Sequence, residues 1–233
     1  MASEHISKQF DLDLEKIRTR VLQMGGLVEH QILNALDGLL HHNLEVLDKV
    51  IEEDALVNAI EVAVDEECQL IIARRQPAAT DLRMVYTVIK TITDLERIGD
   101  EAQKIARMGK TILQSERMQI PRFREVHKMA EVALVMLRRA LDSFARMDDS
   151  AALDVARQDV FLDEDFSANL RQLITFMMED PRTISTSIDT LFILKAIERI
   201  GDHAKNISEY VVYLVKGKNI RHTSIEDMER AGL

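Results

Sequence analysis

Proline and glycine are scarce in this 233-residue chain, which has three of the first and eight of the second. A β-sandwich or barrel turns every 8–12 residues or so and uses those residues to do it, so all-β architectures are excluded. Tryptophan is absent, and aromatic residues make up 4% of the sequence. Cys68 is the only cysteine, which excludes a disulfide framework or a zinc knuckle and suits a reduced, cytoplasmic setting. Long hydrophobic runs are missing too. The longest, 132–137 and 210–215, are six residues each, against the ~20 that a membrane helix needs. The first twelve positions mix Glu4, His5, Lys8 and Asp11 and hold no apolar stretch, so no signal peptide is expected. Positive charge is in deficit, with 30 Lys and Arg against 40 Asp and Glu, a net charge of −10. The basic footprint that nucleic-acid binding requires is therefore lacking.

What remains is 46% hydrophobic and 30% charged, dominated by Leu, Ala, Met, Glu, Lys and Arg, the strong helix formers. The fold class is all-α. Pro77, Pro121 and Pro181 punctuate the periodic segments, each at a helix start or an inter-helix turn. Six helices are predicted, over roughly 10–43, 45–75, 79–115, 122–147, 151–179 and 183–216. The chain also repeats itself. Leu36-Asp37 returns as Leu141-Asp142 and Asp54 as Asp159, 105 residues later, and Pro77 returns as Pro181. Glu96-Arg97-Ile98-Gly99-Asp100 recurs intact as Glu198-Arg199-Ile200-Gly201-Asp202, and Ala102 and Ile105 match Ala204 and Ile207 in the same phase. These offsets predict two tandem three-helix bundles, residues 10–117 and 118–217, whose short connections make neighbouring helices antiparallel. A loose tail is expected over 218–233.

The repeated motif places Glu and Asp at i and i+4. On most helices such a pair belongs to a solvated face. Here, at 100° per residue, Asp100 falls about 40° from Glu96, and Val85, Ile89 and Ile92 share that arc. Leu191 and Leu194 do the same in the second copy. The carboxylates therefore continue the apolar stripe, at the edge of the buried face. The preceding helix offers a matching set: Asp54 with Asn58 and, 105 residues on, Asp159 with Asp163. Glu61 and Asp65 make the first arc more acidic. Two carboxylates about 6 Å apart repel by about 3 kcal/mol at an effective dielectric near 20. Arg97 and Arg199 point about 100° away, no basic residue is expected on the arc, and each cluster therefore requires a cation. Oxygen donors favour hard or borderline ions such as Mg²⁺, Mn²⁺, Ca²⁺ or iron. Gly99 and Gly201 cost about 1 kcal/mol each in helix propensity and are expected to let a neighbouring helix approach. A catalytic set does not assemble. Neither motif has the Glu-x-x-His of di-iron bundles, and there is no Gly-rich phosphate loop or nucleophile elbow. Cys68 reads as a packed thiol and His41-His42 as surface residues.

Two three-helix repeats, each with Glu-Arg-Ile-Gly-Asp in its last helix, resemble the PhoU family of bacterial phosphate-signalling proteins. Met24-Gly25-Gly26, Arg74-Arg75-Gln76-Pro77 with Asp81-Leu82-Arg83, and Met177-Met178-Glu179-Asp180 add to the likeness, which covers about residues 10–217. The resemblance implies a cytoplasmic, non-enzymatic negative regulator of the phosphate-starvation (Pho) regulon that modulates phosphate uptake. It implies an adaptor between the ATP-binding subunit of a phosphate ABC transporter and a sensor histidine kinase, with membrane association only through those partners. It also implies metal clusters held by Asp54, Asn58, Glu96 and Asp100 in the first bundle and by Asp159, Asp163, Glu198 and Asp202 in the second. The ion would be divalent or trivalent: iron, zinc, manganese or magnesium. Asn58 departs from the acidic pattern, so the second site is expected to outbind the first. A metal-storage or metal-dependent hydrolytic bundle is the alternative function. Eleven methionines suit an adaptable contact surface, and a homodimer is expected.

Overall fold

A computed structural model describes residues 8–115 and 123–230. Pro121, the expected bundle boundary at 117/118 and the end of the expected tail at 231–233 lie outside them. Among the described residues there are seven α-helices and no strand: α1 (Lys8–Leu40), α2 (Leu44–Arg75), α3 (Ala79–Gln114), α4 (Phe123–Arg146), α5 (Ala152–Glu179), α6 (Ile184–Lys216) and α7 (Ile225–Arg230). A single 3-10 turn, Pro181–Thr183, leads into α6. The breaks are chemically marked. The Asn43 side chain accepts hydrogen bonds from the Glu45 and Val46 N–H groups and so starts α2. Gln76, left-handed at φ 48°, closes α2 directly before Pro77. Gly217 at φ 68° ends α6 in a conformation that other residues resist.

The long helices pack because their apolar residues recur at alternating spacings of three and four, which makes one continuous seam per helix. Ile17, Val21, Met24 and Val28 in α1, and Val85, Val88, Ile92 and Leu95 in α3, are almost wholly buried. Val126, Met129, Ala133, Met136 and Ala140 form the same seam in α4. Truncating one such side chain, as in Leu95→Ala, removes about 2–5 kcal/mol. The core runs without interruption from the first group of three helices into the second. Its middle is the pair α3 and α6, which lie side by side and antiparallel. Arg83 Nε donates to the Leu214 carbonyl at 3.3 Å and Thr87 Oγ1 to the Tyr210 carbonyl at 3.5 Å, while at the other end Lys104 lies over the Phe192 ring. Both copies of the repeated motif thus sit on the two central helices.

The segment after Gly217 corrects the sequence reading. In place of a loose tail, α7 seats Met228 and the preceding loop seats Ile220 against Ala152, Ala156 and Val212. Arg157 pairs with Glu229 across the same contact. No described helix is long and apolar enough to cross a membrane.

Candidate functional site

In the first bundle, α2 and α3 bring Asp54, Asn58, Glu61, Glu96 and Asp100 to one side of their contact. Asp54 is buried, Asn58, Glu61 and Glu96 are half-buried, and Asp100 is exposed. Asp54 sits on the α2 seam between Val50 and Val57, which is why a carboxylate is forced inward there. Its Oδ2 accepts from Gln103 Nε2 at 3.2 Å and from Asn58 Nδ2 at 3.5 Å, while its Oδ1 and the Asn58 Oδ1 are buried without a partner. Burial, and then Asp100, raise the Asp54 pKa, opposed by the amides of Asn58 and Gln31. Burial raises Glu96 as well, followed by repulsion from Asp100, Glu61 and Asp54. Glu61 is raised by burial and by Asp65. These carboxylates act as one electrostatic unit.

The second bundle brings Asp159 and Asp163 of α5 to Glu198 and Asp202 of α6. Asp202 meets solvent along one edge, yet desolvation on the other and repulsion from Glu198, Asp159 and Asp163 push its pKa up to about 6. Asp163 is raised by burial, then by Asp159 and Glu198. One expectation fails here: the arc does carry cations. Lys205 Nζ lies 2.6 Å from Asp159 Oδ2, and Lys195 Nζ lies 2.6 Å from Glu198. Lys205 stays charged because Asp159 outweighs the burial that disfavours it. Both lysines are legible on the helical wheel, at about 340° and 60° from Glu198.

Whether an ion suits these sites is a matter of donor chemistry. All the donors are oxygen, several are desolvated and mutually repelling, and Asp54 Oδ1 and Asn58 Oδ1 have no protein partner. That set fits a hard cation. The donors lie along an arc, and among the described residues no three His, Cys, Asp or Glu side chains converge tightly enough, as they stand, to grip one ion. Binding therefore requires side-chain rotation, which exposed Asp100 and Asp202 are free to make.

The motif arginine and the position after the motif do something the sequence reading missed. Arg199 reaches across to Glu101 on α3 at 2.7 Å, and Glu101 also meets Lys104 at 3.4 Å. His203 Nδ1 lies 2.6 Å from Asp94 Oδ1, with both side chains under a tenth exposed, and Asn206 donates to the same oxygen at 3.3 Å. These contacts clasp the two bundles. The signal was the place where the repeat fails, because Glu101 and His203 occupy the same position in the two copies. Cys68 is buried, and burial followed by Asp65 and Glu67 pushes its thiol up to about 12, which makes it a packing residue.

The model of the PhoU domain matches twice, over residues 21–108 and 126–211, once in each group of three helices. The phosphate-specific transport system accessory protein PhoU homolog of Pseudomonas putida is 46% identical over 97% of this chain and 88% of its own length. Its Escherichia coli K12 counterpart, named phosphate-specific transport system accessory protein PhoU, is 42% identical over 98% of this chain and 94% of its own. The crystal structure of PhoU from Pseudomonas aeruginosa superposes with a TM-score of 0.86 at 45% identity, covering 90% of this chain and 100% of that one. The phosphate transport system regulatory protein PhoU of Streptococcus pneumoniae gives 0.83 at 30% identity over 90% and 98%. A doubled domain, 42–46% identity over nearly the whole chain and a shared fold carry one conclusion: the chain belongs to the PhoU family.

Proposed function

We propose that this protein is a cytoplasmic, non-enzymatic accessory of a phosphate-specific transport system that holds phosphate-starvation transcription off when phosphate is plentiful. The observation that carries the reading is its near full-length likeness to relatives named as accessory proteins of that system. It acts by contact, bridging the ATP-binding subunit of the phosphate ABC transporter and a sensor histidine kinase. A homodimer accords with the exposed apolar row Ile184, Ile188 and Phe192, spaced four apart on α6, and its mass by light scattering should be twice 26.6 kDa. Asp54, Asn58, Glu96 and Asp100 would hold a metal ion in the first bundle, and Asp159, Asp163, Glu198 and Asp202 in the second. A bound ion supplies positive charge that ties α2 to α3 and α5 to α6.

Gene deletion tests the adaptor reading. Phosphate-starvation transcription should switch on in phosphate-rich medium, and only while the kinase is present. Transcription that stays off, or that turns on without the kinase, ends the reading. A storage or hydrolytic protein would instead give a phenotype that follows metal supply.

A further inference from the structure

The two clusters are built on equivalent positions but filled differently, and most of the differences make the second less open to a cation, with Asn58 against Asp163 and Arg107 against Glu209 running the other way. Where α6 has Lys205 on Asp159, α3 has Gln103 on Asp54. Lys195 of the second copy is Thr93 in the first, and Phe166 of the second is Glu61 in the first. Beneath the motif glycine the contrast continues. A Cβ on Gly99 would meet Asp54 Oδ1 at 3.2 Å and Gln31 Oε1 at 3.3 Å, whereas one on Gly201 would meet Leu162 and the Met136 thioether. Gln31 and Met136 are themselves equivalent, 105 residues apart. Gln31 is 2% exposed, and neither its amide nitrogen nor its amide oxygen has a hydrogen-bond partner. A buried amide left without a well-formed hydrogen bond is costly, and the Gln31 amide lies against Asp54, whose pKa it helps to hold down, so it faces the cluster.

We infer that the first cluster is the metal-loading site, with Gln31 and Glu61 as added oxygen donors beside Asp54, Glu96 and Asp100, and that Lys195 and Lys205 are resident counter-ions that keep metal out of the second. This rests on the metal reading proposed above. It reverses the ranking that Asn58 and Asp163 alone predict. An incoming cation at the second cluster must displace two ammonium groups, each 2.6 Å from a carboxylate. At the first, amides hold Asp54, and the cations that act on the cluster, Arg107 on Asp54 and Arg97 on Glu61 and Glu96, form no ion pair with it among the described residues.

The test is Mn²⁺ uptake by equilibrium dialysis on the full chain, purified without an affinity tag and stripped with chelator, with helix content followed by circular dichroism. Wild type should show one tight phase. Glu96→Gln with Asp100→Asn should weaken that phase about 10-fold or more, and Gln31→Met, which installs the residue already housed in the second copy, should weaken it several-fold at unchanged helix content. Lys195→Thr with Lys205→Gln, which installs the first copy's residues, should add a second phase. Two equal phases in wild type, a tight phase that survives Glu96→Gln with Asp100→Asn, or no gain in the lysine variant overturns the inference while leaving metal binding intact. An unmoved tight phase in Gln31→Met overturns its place as a donor. No uptake by wild type or by the lysine variant defeats the metal reading itself, and the inference with it.

Discussion

The first and second carboxylate clusters share a scaffold, yet only in the second do lysines sit directly on the carboxylates. Both hang on a seam acid, Asp54 or Asp159, and on the Glu and Asp of a duplicated motif. In the second, two lysines of the same helix lie on the carboxylates, Phe166 stands where the first has Glu61, and Met136 stands where it has Gln31. The lesson is that a repeat conserves geometry more readily than charge. The clasp between the bundles makes the contrast sharper, since there Asp94 is as buried as Asp54 but its Oδ1 meets both His203 and Asn206.

The largest expected effect comes from that clasp. Asp94→Ala strands His203 and Asn206 at the α3–α6 contact and should cost about 3 kcal/mol, read from urea unfolding. A loss below about 0.5 kcal/mol would mean that water replaces the carboxylate and that no clasp exists. Next comes a reciprocal swap. Lys205→Gln leaves buried Asp159 without its cation and should destabilise by about 1–3 kcal/mol. Gln103→Lys brings an ammonium to Asp54 and should stabilise by about 1 kcal/mol in chelator-treated buffer. If both swaps shift the midpoint in the same direction, the clusters do not differ in charge balance. A smaller contrast separates the motif glutamates. Glu96→Gln relieves repulsion from Asp100, Glu61 and Asp54 and should stabilise by about 0.5–1 kcal/mol, whereas Glu198→Gln also loses Lys195 and should not stabilise.

The six long helices, the absence of strands and the duplication were legible because hydrophobic spacing, proline positions and an intact five-residue repeat all point the same way. Charge on the arc is not legible from the motif alone, because the arginines inside it point away. Lys205, seven residues after Glu198, lies on the same side of the helix. Gln31 was readable too, as the one polar residue in the seam Ile17, Val21, Met24, Val28, Gln31, Ala35. Glu61 follows from the same logic, since it takes the seam position between Val57 and Val64. The Asp94–His203 clasp was not readable from either helix alone, because it depends on how α3 and α6 are set against each other. The docking of α7 was missed for a related reason. Ile220 and Met228 are too few to show periodicity, and only the apolar patch on α5 and α6 gives them a seat.

The subtlest difference between the copies is a pH dependence that reaches up to about pH 7 and is set by Glu209. Glu209, on α6, takes the position that Arg107 holds on α3. It is buried beside Tyr86, Tyr210, Tyr213 and Asn219. Burial pushes its pKa up to about 7, with Asp159 and Asp94 adding to the rise and Lys205 and Arg221 opposing it. In the unfolded chain the same carboxyl releases its proton near the ordinary 4.5. Between about 4.5 and about 7 the folded state therefore holds more proton than the unfolded one, and its stability falls as pH rises through that window. Below the window the carboxyl is protonated in both states, and above it the deprotonated group imposes its full cost. Glu209→Gln keeps the shape and removes the titration, so the variant should equal wild type near pH 4 and exceed it near pH 8. Other acids with raised pKa values titrate in both proteins and cancel in the difference. Unfolding midpoints taken at half-unit steps should show the gap opening between about pH 5 and 7. A constant gap across that range would mean that Glu209 reaches water and carries no such dependence.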